Sequence, residues 1–190
     1  FLMEAFIPLA ILGAIFLLPL VWLIASYNRF VRIGQHITES WADIEVELKR
    51  RYDLIPNLVE TVKGFAAHER NVFEEVVKLR NRALENHGSA AEQAVDETAL
   101  AIGLKRLFAV AEGYPQLKSD THFLALQQEL AHTEDRLAAA RRFFNANVRE
   151  QNQLCESFPT NLLAGMFGFG QRTYFELTNE AERVVPRVAL

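Results

Sequence analysis

Three features of this sequence predict an all-α fold, in which an N-terminal single transmembrane helix is followed by an antiparallel helical bundle of about four long helices. Residues 5–26, AFIPLAILGAIFLLPLVWLIAS, carry no charge. Beyond them, apolar residues recur at spacings of three and four, the period of one side of a helix. No stretch after residue 27 shows the strict alternation or the turn-bounded β-branched runs of strands.

The uncharged run is long enough to be an anchor. At about 1.5 Å per residue it spans about 33 Å, sufficient to cross a bilayer. A cleaved signal peptide fits less well. No basic segment precedes the run, Glu4 is the only early charge, and the run exceeds the usual signal-peptide core of about 7–15 residues. Pro8 and Pro19 are tolerable, because neighbours in a membrane can satisfy the backbone groups that proline frees. Arg29, Arg32, Lys49, Arg50 and Arg51 follow the span and no Lys or Arg precedes it, so the positive-inside rule puts the large C-terminal part in the cytoplasm. The expected organisation is an anchor at 1–26, a bundle at 27–157, and an apolar aromatic segment with a C-terminal tail at 158–190.

Half of the residues are hydrophobic, which suits one ordinary domain plus such an anchor. The net charge of −4 and the mixing of Lys and Arg with Glu and Asp leave no concentrated basic face, which argues against nucleic acid as a partner. Cys155 is the single cysteine, so no intramolecular disulfide can form.

Four helices follow the anchor in this reading. The first, at roughly 27–52, continues out of the span, since nothing between Tyr27 and Arg32 would stop it. Its stripe is Ile33, Ile37, Trp41, Ile44, Leu48 and Tyr52. The second, at about 54–86, carries Leu58, Val62, Phe65, Val72, Val76, Leu79 and Ala83, with Glu69 as a charge in the seam, and closes at Asn86, His87 and Gly88. The third, at about 91–112, is built on Leu100, Leu104, Leu107 and Ala111, and Gly113 and Pro115 stop it. The fourth starts near Ser119 or Asp120 and runs to about Glu156. Phe123, Leu126, Leu130, Thr133, Leu137, Ala140, Phe144, Asn147, Gln151, Leu154 and Phe158 form its seven-residue repeat.

Pro56 decides the topology. It lacks an N–H and clashes with the carbonyl four residues back, so a break is expected there, with Asp53 as the N-cap of the next helix. If Pro56 reverses the chain, the fourth helix ends beside the membrane. Phe158, Leu162, Leu163, Met166, Phe167 and Phe169 could then touch the bilayer interface. If Pro56 only kinks a long rod, the same segment lies far from the membrane and needs a protein partner. Reversal is the expectation.

Few residues suggest chemistry. Glu69, Thr133, Asn147 and Gln151 interrupt apolar seams, where polar groups more often satisfy one another and fix helix register. Glu129 and His132 have the Glu-x-x-His spacing of carboxylate-bridged metal sites in bundles, but His36, His68, His87 and His122 lack a Glu three residues before them. His68 and Glu69 begin a zinc-protease motif that Val72 leaves unfinished. Glu134, Arg141, Asn145 and Asn152 form a polar file beside the seam of the fourth helix, suited to interhelical pairing. No phosphate loop or nucleophile elbow is present. No cofactor, metal or small-molecule substrate is called for.

Three blocks carry a resemblance: WADIEVELKRRYDLIPNLVETVKGFAAHE at 41–69, AEGYPQLKSDTHFLALQQELAHTEDRLAAARRFFN at 111–145, and NQLCESFPTNLLAGMFGF at 152–169. Together they resemble the LemA family. The resemblance implies a bacterial single-pass membrane protein with a helical-bundle domain, its N-terminus outside and its bundle in the cytoplasm, and no established enzymatic activity. The family pattern carries over to Trp41, Arg51, Asp53, Pro56, Asn57, His68, Glu69, Glu134, Arg141, Asn145 and Pro159. Phe144 departs from it, standing where relatives usually have Tyr. The functional expectation is a membrane-anchored scaffold or adaptor in the bacterial inner membrane, without catalytic activity; the alternatives are a metal-dependent helical-bundle enzyme using Glu129 and His132 with carboxylates from other helices, and a protein that senses or shapes the bilayer through its aromatic segment. Its expected partners are the lipid bilayer and further copies of itself or other membrane proteins.

Overall fold

The computed structural model describes residues 2–177, with side chains from residue 13 onward. Residues 178–190, which hold most of the expected C-terminal tail, lie outside the described residues. The described residues form six helices and no strand: α1 Leu2–Phe65, α2 Arg70–Glu85, α3 Ala90–Glu112, α4 Pro115–Lys118, α5 Thr121–Glu156 and α6 Thr160–Phe167. The chain divides into two compact units, Phe1–Thr38 with Ala146–Arg172, and Glu39–Asn145 with Thr173–Leu190.

In the first unit, α1 is long and apolar enough to cross a membrane. Ile15, Phe16, Leu18 and Leu20 are largely exposed, an arrangement that suits lipid and not water. Further along, Phe30, Ile33 and Ile37 turn inward. The start of α1 and the end of α5 run antiparallel here: Arg29 pairs with Glu150 at 3.0 Å, and Asn147 Nδ2 donates to the His36 carbonyl at 3.3 Å.

In the second unit, α1 and α5 are again antiparallel, with Glu47 paired to Arg136 and Arg51 to Glu134. Between them in sequence, α2 and α3 form a hairpin whose turn is built from polar caps. Ser89 and Glu92 make a capping box, with Ser89 N–H donating to Glu92 Oε2 at 2.7 Å and Glu92 N–H to Ser89 Oγ at 3.3 Å. Asn86 Oδ1 accepts from Gly88 N–H at 2.8 Å. The Asp120 carboxylate accepts from Phe123 N–H at 2.8 Å and so caps the start of α5.

The expected break at Pro56 is absent. α1 passes through Pro56 without interruption, and Asp53 is an exposed mid-helix residue rather than an N-cap. Two effects explain the continuity. Pro56 cannot donate to the Tyr52 carbonyl, but Arg80 Nε from α2 donates to it at 3.1 Å. An interior proline costs about 3 kcal/mol or more. Ile55, Leu58, Val59 and Val62 are buried on this stretch, and each such side chain contributes about 1.5–3 kcal/mol. Burial therefore wins.

Reversal comes at Ala66–Glu69 instead. Glu69 N–H returns to the Ala66 carbonyl at 3.0 Å, and Glu69 takes the N-cap position of α2 without a side-chain capping bond. Glu69 therefore belongs to a turn, not to a helical seam. The repeat of α5 holds at Phe123, Leu130, Thr133, Leu137, Phe144, Gln151 and Leu154, all buried. Phe158 departs from it, because α5 ends at Glu156 and leaves that ring exposed.

Candidate functional site

The densest polar cluster lies inside the second unit and joins four helices. Arg51 of α1 is fully buried. Its Nη2 meets Glu97 Oε2 of α3 at 2.7 Å, and its Nη1 meets Glu134 Oε1 of α5 at 3.0 Å. Tyr52 Oη donates to the other oxygen of Glu97. Gln93 Nε2 lies 3.0 Å from Glu97 Oε1, 3.1 Å from Tyr52 Oη and 3.0 Å from the Ala83 carbonyl of α2. At its edge Asp96 pairs with Arg82 Nε at 2.7 Å and accepts from Asn86 Nδ2 at 2.6 Å.

Burial by itself would lower the Arg51 pKa. The Glu134 and Glu97 carboxylates overcome that and hold the guanidinium above its ordinary value. Burial, and then the Glu97 charge, push the Tyr52 phenol well up, so it remains a protonated donor. One cation between two carboxylates, with Arg51 and Glu97 fully enclosed by protein and Glu134 half-buried, is an arrangement for fixing helices rather than for meeting a substrate.

A second feature lies in the first unit, where the chain returns to the end of the uncharged run. Gly168 takes a left-handed φ of 73° and ends α6, which lets Phe169 N–H reach the Ala164 carbonyl at 3.0 Å. The Phe169 ring then stacks on Phe30 with centroids 4.6 Å apart, and Phe167 meets Tyr27 edge-on at 5.0 Å. Burial, and then Glu156, raise the Cys155 thiol above its ordinary value. Cys155 Sγ lies 3.7 Å from the Phe169 carbonyl.

After α6 the chain is extended, and side-chain amides hold it. In the first unit, Asn152 Oδ1 accepts from Arg172 N–H at 2.8 Å while its Nδ2 donates to the Arg172 carbonyl at 3.0 Å. Gln151 Nε2 donates to the Gly170 carbonyl at 2.6 Å. In the second unit, Asn145 clamps Phe175 the same way, at 2.9 and 3.0 Å, and Phe175 is buried against Trp41 with ring centroids 5.7 Å apart.

The residues singled out from the sequence are therefore dispersed. Arg51 and Glu134 meet in the network. Trp41 packs on Phe144 at 5.3 Å and donates to Glu45 at 2.9 Å. Asn145 holds the tail, and Arg141 is half-buried on α5. Asp53, Pro56 and Asn57 are exposed on α1, His68 is exposed beside Glu69 in the turn, and Pro159 precedes α6. Of the apolar contact set, Phe158, Leu162, Met166 and Phe167 are exposed and Phe169 is half-buried. Leu163 is a correction: it is 3% exposed and packs inward beside Ala164, because the two residues sit on the opposite side of α6 from Leu162 and Met166.

Glu129 and His132 are both exposed, Glu129 lies 3.8 Å from Arg136, and the described residues include no group of three or more His, Cys, Asp or Glu placed to hold a metal. A groove of about 880 Å³ lies between the end of α1, α2 and the start of α3. Val59, Phe73 and Val77 line it, and its rim mixes Lys63, Arg70, Lys78 and Arg82 with Glu60, Glu74 and Glu85. Gln93, Glu97, Asp96, Arg80 and Phe175 were not singled out from the sequence. A signal for two of them existed, since extending the α3 stripe back from Leu100 by steps of three and four lands on Glu97 and Gln93.

The model of the LemA family matches residues 40–190. The chain belongs to the LemA family. Among curated relatives, it is similar to magnetosome proteins MamQ 1 and MamQ 2 of Paramagnetospirillum magneticum. Each is 29% identical over 179 residues, covering 81% of this chain and 66% of the relative. Magnetosome protein MamQ of Magnetospirillum gryphiswaldense is 28% identical over 197 residues, covering 88% of this chain and 72% of the relative. The chain thus spans about two thirds of the length of the MamQ 1 and MamQ 2 relatives it matches. The LemA-family region starts within α1, beyond the apolar, lipid-suited residues of that helix.

Proposed function

We propose that this LemA-family chain is a single-pass, membrane-anchored helical-bundle scaffold that binds copies of itself or other membrane proteins and catalyses no reaction. The observation that carries this reading is where the polar groups go. The densest cluster of charge pairs within itself, with Arg51 and Glu97 fully buried and Glu134 half-buried, whereas Ile15, Phe16 and Leu18 of α1 and Leu162 and Met166 of α6 are exposed apolar side chains. Such exposed apolar side chains offer surfaces for association.

The charges that follow the span support a bundle on the cytoplasmic side of a bacterial inner membrane. Self-association through the exposed residues of α1 agrees with the absence of any protein cover on Ile15, Phe16 and Leu18 among the described residues. The test is a pull-down of the full chain from membranes in mild detergent, with a C-terminal topology reporter on the same chain. Recovery of a defined membrane-protein companion or a second copy, with the reporter active in the cytoplasm, is expected. A bare chain, or a reporter active only outside, contradicts the reading.

A further inference from the structure

The segment from Ser157 to Gly170, SFPTNLLAGMFGFG, is a second run without a charged residue, and it is far too short to cross a bilayer. Its two sides differ. Leu163 and Ala164 are buried on the inner side of α6, while Leu162 and Met166, spaced by four, are 58% and 72% exposed along its other edge, and Phe158, just before the helix, is 80% exposed. The position of that edge within the first unit is fixed by aromatic contacts. Phe167 and Phe169 pack on Tyr27 and Phe30, which lie just past Ser26, the end of the uncharged run of α1, on either side of the next charge, Arg29.

We infer that this edge of α6 is a second membrane contact, an interfacial helix lying in the headgroup and acyl boundary of the bilayer that α1 crosses. Depth follows from covalent and packing geometry. If residues 5–26 fill the hydrocarbon, Tyr27 lies at the boundary, and a ring 5.0 Å from it lies at the same level. Amphipathic helices at that level bury their apolar face about 5–10 Å into the boundary. A second protein is the weaker occupant. Stable protein interfaces need about 800 Å² and some 20 or more residues on each side, whereas this edge offers three or four side chains. Lipid imposes no such minimum once α1 already holds the chain at the surface.

The inference rests on the membrane placement of α1 proposed above, and the test separates the two. Cys155→Ser provides a background in which single cysteines are placed by Ile24→Cys in the span and Met166→Cys on the α6 edge. Each full chain, labelled with an environment-sensitive fluorophore, is reconstituted in phosphatidylcholine–phosphatidylglycerol vesicles. It is then exposed to lipids carrying a shallow nitroxide and, separately, to a water-soluble quencher. The label at 166 is expected to lose roughly half or more of its emission to the shallow nitroxide and little to the aqueous quencher, as an interfacial helix would. Lipid quenching at 24 with aqueous quenching at 166 overturns the inference and leaves the anchor standing. Protection at 166 from both quenchers means that protein covers the edge, and also overturns it. Absence of lipid quenching at 24 removes both readings. Both replaced side chains are more than half exposed, so neither label disturbs packing.

Discussion

Arg80 Nε donates at 3.1 Å to the main-chain carbonyl of Tyr52, the carbonyl that Pro56 leaves without its helical donor. A side chain from α2 thus closes a gap that proline opens in α1. The first prediction comes directly from this exchange. Arg80→Ala strands a part-buried carbonyl and should destabilise the protein by about 1–3 kcal/mol. In a Pro56→Ala background the restored N–H takes over, and the same Arg80→Ala change should cost little. Urea unfolding of the four detergent-solubilised chains, followed by circular dichroism, measures the coupling. Strictly additive effects would remove Arg80 from the explanation of why α1 continues.

The Arg51 network should respond asymmetrically. Arg51→Ala leaves the buried Glu97 and the half-buried Glu134 carboxylates without their shared cation and should cost about 3–5 kcal/mol. Arg51→Met combined with Glu97→Gln and Glu134→Gln removes the charges together and should recover much of that loss. If the triple variant is no more stable than Arg51→Ala, the unpaired carboxylates are not what makes the single change costly.

Tyr52 gives a pH signature. Its folded-state pKa is raised, so the folded chain keeps a proton that the unfolded chain releases near pH 10. Stability from this group is complete below about pH 10 and falls as pH rises beyond it, by about 1.4 kcal/mol per pH unit. Tyr52→Phe should therefore make the alkaline decline between about pH 10 and 12 shallower by one proton's worth. Equal slopes in the two chains would mean that the phenol ionises alike in the folded and unfolded states.

The amide clamps predict where the tail opens. Asn145→Ala should speed hydrogen exchange at Phe175, and Asn152→Ala at Arg172, each at a cost of about 1 kcal/mol. Unchanged exchange at both positions would show that other contacts hold the segment.

Periodicity carried most of the helical architecture. The third expected helix, at about 91–112, is observed as Ala90–Glu112, and the buried residues of α5 follow its seven-residue repeat from Phe123 to Leu154. What stayed hidden depends on partners distant in sequence. Pro56 reads as a break because its relief comes from Arg80, which no local pattern connects to it. Topology was also posed too narrowly. The chain does not reverse at Pro56, yet α6 still returns to Tyr27, because the turn lies ten residues later, at Ala66–Glu69. The tail's path was illegible for a different reason. Asn145 and Asn152 grip main chain, so the gripped residues needed no recognisable side chains. Leu163 was grouped with its exposed neighbours since a short apolar run does not reveal which side of a helix faces inward.

The mass of the full chain, extracted from membranes in mild detergent and measured by light scattering with the detergent contribution removed, tests the scaffold most directly. The account predicts a defined assembly heavier than one chain, containing further copies or a stoichiometric membrane-protein companion. A single chain, alone at every concentration tried, would contradict it.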